Sequence, residues 1–209
     1  MIKTTKKLIL FDLDGVLVNS RSNMEIAWQA VMEQLDVKTH FDDYFALIGR
    51  PFQTILEILG LAQRGKEIEY VFRTTSGKHL ELVVFYPDVE DTLVSMRKTG
   101  LHLGIVTSKD LTRTNAVLER LPFEFSSVQT PNGQCRGKPS PDHFILAMSE
   151  AGVQPANTVY VGDMDVDFKA AQNAGIDYIH AGWGYGDIPD PNCVNLTQIS
   201  DLLNFLKVD

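Results

Sequence analysis

Short apolar runs separated by amphipathic stretches constrain the fold of this chain more than any other feature. Residues 6–11 (Lys-Lys-Leu-Ile-Leu-Phe) form the first run, which ends at Asp12. A run this short reads as a strand buried on both faces. Three more follow much later, at Leu101–Val106, Thr158–Val161 and Ile176–Ile179. Helical stripes alternate with them: Val89, Leu93 and Met96; Phe144, Ile145, Met148 and Ala151; Val166–Ala174; and Ile199, Leu202, Leu203 and Leu206. Gly100, Gly152 and Gly175 stand just past three of these stripes, where glycine accepts the left-handed conformation that closes a helix. Strands alternating with helices predict an α/β fold, a mostly parallel sheet covered on both faces.

Residues from about 20 to 84 break that rhythm. Met24, Ala27, Trp28, Val31, Met32 and Leu35 follow helical spacing, as do Phe52, Ile55, Leu56 and Leu59 before Gly60. A third long segment runs from about 63 to 83, and no strand is evident in the block. It reads either as extra helices on one sheet face or as an all-helical cap inserted after the first strand.

With 19 Lys and Arg against 27 Asp and Glu, the net charge is -8. Such a surface repels nucleic acid and anionic membrane, so neither is an expected partner, and an anionic ligand needs locally placed positive charge. No secretory signal is visible, and no apolar stretch is long enough to span a membrane. Cys135 and Cys193 lie far apart, which argues against a disulfide framework or a zinc site. The cytoplasm is the default location.

Four clusters carry candidate chemistry, each with a plainer alternative. Asp12-Leu13-Asp14-Gly15 follows the first buried run, at the edge where open parallel sheets bind ligands. Two carboxylates so close are stable with a cation or proton between them, but Asp and Gly also make ordinary turns. Asp163, Asp165 and Asp167 follow the run at 158–161 and could equally be helix N-terminal charges; Asp165 is the weakest candidate of the three. Thr107 and Ser108 end the run at 101–106, where a hydroxyl can meet a phosphate oxygen or simply begin a helix. Lys138 sits in Gly-Lys-Pro-Ser-Pro, a stiff loop, and alone would be a solvated lysine.

Together, in this order, the clusters resemble the four motifs of the haloacid dehalogenase superfamily. Phe-Asp-Leu-Asp-Gly-Val-Leu-Val-Asn-Ser (11–20) fits the first, Thr107 the second, Lys138 the third and Gly-Asp-x-x-x-Asp (162–167) the fourth. Tyr86-Pro87-Asp88-Val89 is similar to a stretch common in phosphoglycolate phosphatase-like members. Asn19 is a departure, since many relatives carry Asp there, outside the reacting groups.

The resemblance implies a Rossmann-like catalytic core at 1–18 and 86–209 and a helical cap at 19–85. It implies a Mg²⁺-dependent phosphatase acting on a small phosphorylated metabolite, as monomer or homodimer. Asp12 would be the nucleophile that carries an aspartyl-phosphate, and Asp14 the general acid and base. Thr107, Ser108 and Lys138 would hold the phosphoryl group. Mg²⁺ would be bound by Asp12, the Asp14 carbonyl and Asp163, with Asp167 supporting the metal or orienting Lys138. Arg50, in the loop Ile48-Gly49-Arg50-Pro51 between two helical stripes, is the expected contact to the rest of the substrate.

Alternatives remain at this stage. A phosphomutase keeps the same residues, and a catalytically idle binding protein could share the fold. A dehalogenase or phosphonatase usually lacks the second aspartate, and a dehydrogenase needs a glycine-rich turn where Asp-Leu-Asp-Gly stands. Gly-Trp-Gly-Tyr-Gly (182–186) reads as a flexible loop beside the site, with Trp183 and Tyr185 expected near the cap. The five histidines show no ligand spacing and read as structural or exposed.

Overall fold

Leu8–Phe11 (β1) is wholly buried, as a central parallel strand must be. In the computed structural model, which describes residues 6–187 and 190–207, it pairs in parallel with His102–Val106 (β4) and Thr158–Gly162 (β6). Val18–Asn19 (β2) and Val84–Phe85 (β3) form a separate antiparallel ladder. Ser127–Gln129 (β5), Asp177–Ala181 (β7) and Val194–Leu196 (β8) complete a six-stranded sheet of order β5-β4-β1-β6-β7-β8, parallel throughout. The chain therefore builds outward from β1 in one direction and then returns to build in the other. The carboxyl ends of β1 and β6 flank the point of reversal, where such sheets open a crevice.

Alternation along the strands sorts side chains between two cores. Ile9, Phe11, Leu103, Ile105, Val159 and Val161 face one side. There they meet Val89–Lys98 (α5) and Asp201–Leu206 (α9) through Leu93, Met96 and Leu202. Leu8, Leu10, Tyr160 and Tyr178 face the other, against Phe144 and Met148 of Asp142–Ala151 (α7) and Ala170 of Asp165–Ala174 (α8). Leu111–Leu118 (α6) follows β4.

The helical block has its own core. Arg21–Leu35 (α1), Phe41–Phe45 (α2), Phe52–Ile58 (α3) and Gly65–Lys78 (α4) bury Trp28, Tyr44, Ile55, Leu56, Ile68 and Phe72 together. Trp28 stacks on Tyr44 with ring centroids 4.4 Å apart, a geometry that adds to the stabilisation from burial. Asn23 of α1 donates to the carbonyls of Ser76 (2.9 Å) and His79 (2.7 Å), which locks α1 to the end of α4.

Four strands, β2, β3, β5 and β8, depart from the sequence reading. Val84–Phe85 is a strand at the edge of the expected strandless block, but it pairs only with β2, outside the main sheet. The β2–β3 ladder joins the path into the helical block to the path out of it. It is two residues long, too short to show a periodicity. β5 and β8 were not anticipated: each is a three-residue segment at a sheet edge with a polar residue, so no buried run marks it.

Candidate active site

Asp12 leaves the end of β1 with its N–H bonded to the Val161 carbonyl of β6 (3.0 Å). Its carboxylate is buried. Oδ1 accepts the Leu13 N–H (2.8 Å), and Oδ2 lies 3.1 Å from Lys138 Nζ. Gly15 then turns the chain at φ +84°, and a Cβ there would overlap the Asp163 carboxylate, so geometry and space both require glycine. Asp14 is more open. Its Oδ1 accepts from Ser20 Oγ (2.5 Å) and pairs with Lys109 Nζ (3.0 Å).

Asp163 follows β6 with no exposed surface. Oδ2 accepts the Tyr185 N–H (2.8 Å), while Oδ1 is buried without a partner among the described residues. Asp167, in the first turn of α8, is fully committed. Oδ2 accepts the N–H groups of Asp163 (3.2 Å) and Met164 (3.0 Å), and Oδ1 meets Lys138 Nζ (2.8 Å) and Tyr160 Oη (3.2 Å). Asp165 is exposed and pairs with Lys169 one turn on, so it serves only its helix.

The structure thus brings Asp12, Asp163 and Asp167 together, with ligand oxygens within 4.8 Å of one another. Lys138 offsets one of three buried carboxylates, which leaves two negative charges. Their mutual effect is large. Burial first, with Lys138 opposing and Asp167 and Asp14 adding, pushes the Asp12 pKa up to about 7. Burial, then Asp167 and Asp12, push Asp163 well above the carboxylate range. Burial works against the Lys138 charge, but Asp12 and Asp167 outweigh it and hold its pKa above the usual lysine value. Carboxylates forced together in this way are the setting for a cation. The unpartnered Asp163 Oδ1, the all-oxygen donor set and two uncompensated charges fit a hard divalent ion such as Mg²⁺.

A cavity of about 60 Å³ opens between Asp12, at the edge of this cluster, and the helical block. Asp12, Asp14, Thr107 and Lys109 border it from the sheet side; Arg50, Phe52 and Phe72 border it from the helices. Thr107 is buried, and its Oγ1 accepts the Lys109 N–H (3.2 Å). Arg50 is half-buried, held by one bond from Nη1 to the Leu47 carbonyl (3.2 Å). Ser108 also borders the cavity, and its hydroxyl donates to the Gly49 carbonyl (2.6 Å), which ties the helical block to the sheet. At Gly49, with φ +85°, a Cβ would collide with Val166 and crowd Met164.

Several residues of the site were not singled out from sequence. Lys109 and Ser20 hold Asp14, and Tyr160 holds Lys138 at 2.7 Å. Arg113, buried in α6, reaches Ser76 of α4 (2.8 Å) and borders the cavity. Lys109 stands two residues past Thr107 of the second motif, and that position is its only signal. The Gly-Trp-Gly-Tyr-Gly loop meets expectation in part. Tyr185 touches Phe45 of the helical block (centroids 5.1 Å), but Trp183 Nε1 donates to the Val16 carbonyl (2.9 Å) and packs on the main core. Glycine recurs at 184 and 186 because a Cβ at either would overlap Asp163. The two cysteines are free, and none of the five histidines joins the carboxylate cluster.

Comparison with known proteins agrees with this geometry. The phosphoglycolate phosphatase of Aquifex aeolicus is 29% identical over 212 residues, covering 96% of each chain. Pyrophosphatase PpaX of Bacillus velezensis is 31% identical over 185 residues, covering 84% of this chain and 82% of its own. The crystal structure of a hydrolase from Pseudomonas syringae shares the fold, with a TM-score of 0.86 at 21% identity, over 97% of this chain and 98% of that one. Residues 9–181 match the family described as haloacid dehalogenase-like hydrolase, and the chain belongs to that family.

Proposed function

We propose that this protein is a Mg²⁺-dependent phosphatase that hydrolyses a small phosphorylated metabolite, phosphoglycolate- or sugar-phosphate-like, through an aspartyl-phosphate on Asp12. The observation that carries the reading is the position of Asp12. It is a buried carboxylate at the reversal point of the sheet, bordering the cavity and paired with Lys138. The similar proteins named phosphoglycolate phosphatase and pyrophosphatase support the same chemistry.

In the first step an Asp12 carboxylate oxygen attacks phosphorus, and the bond to the leaving oxygen breaks. Asp14, at the open side of the site, gives that oxygen a proton. In the second step Asp14 takes a proton from water as the water attacks the aspartyl-phosphate, which releases phosphate and restores Asp12. One difficult displacement becomes two easier ones, and acid–base help of this kind is worth about 10²–10⁴-fold. Lys138 Nζ and the Thr107 hydroxyl stabilise charge on the phosphoryl oxygens. Asp167 anchors Lys138 and the start of α8. Asp12, Asp163 and the Asp14 carbonyl would hold Mg²⁺, which when bound supplies the positive charge that lets a phosphate approach these carboxylates.

Residues 1–18 and 86–209 act as the catalytic core, and 19–85 as a cap that selects the substrate. Arg50 suits a carboxylate or second phosphate on the substrate, because guanidinium pairs with such groups through two hydrogen bonds. The enzyme works in the cytoplasm, as a monomer or homodimer. Among the described residues no helix is long and apolar enough to cross a membrane. The test is phosphate release with Mg²⁺ from a panel of phosphoglycolate, pyrophosphate, sugar phosphates and nucleotides. Turnover of a small phosphate ester that disappears in Asp12→Asn is expected. Absence of phosphate release across the panel would overturn the reading.

A further inference from the structure

We infer that Tyr160 is a positioning residue for the reaction, one that holds Lys138 Nζ in place for the phosphoryl group. The inference rests on the reading of Lys138 given above and adds to it a residue that reads, from sequence, as part of an apolar strand.

A lysine ammonium has three N–H bonds and accepts none. In a buried site each needs an acceptor, because an unpaired charged donor is costly. Lys138 Nζ meets three acceptors: Asp12 Oδ2 at 3.1 Å, Asp167 Oδ1 at 2.8 Å and Tyr160 Oη at 2.7 Å. Asp12 is the group that receives the phosphoryl. Its bond to Lys138 is therefore the one that changes during turnover, while Asp167 and Tyr160 remain as a two-point cradle. Together they aim the third N–H at Asp12 and at whatever is joined to it.

The choice of a phenol follows from charge and reach. Three carboxylates already crowd this site. A fourth at position 160 would add repulsion, whereas a phenol oxygen accepts from lysine and brings no charge. Because lysine can only donate, the hydroxyl must accept from it and spend its own proton elsewhere. The Val106 carbonyl lies 3.1 Å away, and Asp167 Oδ1 3.2 Å. Val106 closes β4, and Tyr160 stands on β6, with β1 between them. Only a long side chain bridges that span, and Thr107 is the next residue after Val106. The ring itself is packed edge-on against Phe144, with centroids 4.7 Å apart. One tyrosine therefore belongs to the core through its ring and to the site through its oxygen.

Tyr160→Phe keeps the ring and removes the hydroxyl, both as acceptor from Lys138 and as donor to Val106 or Asp167. The test is binding of orthovanadate, a mimic of the transferring phosphoryl group, with MgCl₂ present, measured by calorimetry in four proteins. These are the parent chain, Tyr160→Phe, Lys138→Met and the double variant, with kcat and KM for p-nitrophenyl phosphate alongside. Tyr160→Phe should bind vanadate about tenfold more weakly, the scale of a lost hydrogen bond to a charged group. Its kcat should fall in step, with little change in KM. Added to Lys138→Met, the same substitution should cost nothing further, since two residues acting through one contact are not additive. Undiminished vanadate binding in Tyr160→Phe, or an equal loss in both backgrounds, would overturn the inference and assign Tyr160 to packing. Undiminished binding in Lys138→Met would overturn the reading of Lys138 itself, and the inference with it.

Discussion

The two walls of the cavity are built on opposite plans. The sheet wall is polar, with Asp12, Asp14, Thr107 and Lys109 at the cavity, and it is bonded from behind: Lys138, itself paired with Asp167, holds Asp12, and Asp167 also caps α8. The helical wall is largely apolar, with Ile48, Phe52, Ile55 and Phe72, and Arg50 there keeps a single bond to a nearby carbonyl. A group with every polar atom committed is fixed in place, as charge stabilisation in a reaction requires. A long cation with few partners keeps donors for a ligand. The difference fits the proposed division of labour, with reaction at one wall and selection at the other.

The largest expected effect breaks the sheet wall alone. Asp12→Asn should abolish turnover of every substrate while the thermal midpoint stays near the parent value; full activity would refute the mechanism. Next comes the metal. EDTA should remove activity and added Mg²⁺ restore it. Asp163→Ala should raise the Mg²⁺ concentration for half-maximal rate by about tenfold or more, read from a titration of rate against free Mg²⁺. Unchanged turnover after thorough chelation would exclude the metal.

Arg50→Ala tests the other wall. On the best substrate of the panel, kcat/KM should fall by about 2–3 kcal/mol, while p-nitrophenyl phosphate should barely change. Equal losses on both would assign Arg50 to stability and leave selection to other residues. Ser108→Ala is expected to have the smallest effect. It removes the hydroxyl bond to Gly49 between the walls, so every substrate should lose about 1 kcal/mol alike. A loss confined to one substrate would show that Ser108 touches the ligand instead.

How far these walls were legible in the sequence depends on burial. β1, β4, β6 and β7 are buried along four or more residues, so each leaves a short, mostly apolar run. Carboxylates directly after two of those runs mark Asp12 and Asp163. Lys138 sits in an irregular loop, and only its place in the order of motifs singles it out. Tyr160 is hidden for a different reason: its ring satisfies the apolar pattern of β6, and nothing local records that its oxygen meets a lysine 22 residues earlier. The bond from Ser108 to Gly49 spans 59 residues and exists only once the helical block has docked. Gly15, Gly184 and Gly186 are visible as glycines, yet their shared reason, close approach to Asp163, is visible only in three dimensions.

The nucleophile can be tested directly by trapping. Asp14→Asn removes the group proposed to activate water but leaves Asp12, Lys138 and the carboxylate cluster in place. Mixed with p-nitrophenyl phosphate and Mg²⁺, whose leaving group needs no proton, this variant should gain the mass of one phosphoryl group. Peptide mapping should place it on Asp12, and the adduct should survive acid and be released by hydroxylamine. Phosphate release by the parent enzyme with no such adduct in Asp14→Asn, or an adduct on any residue other than Asp12, would contradict the covalent mechanism.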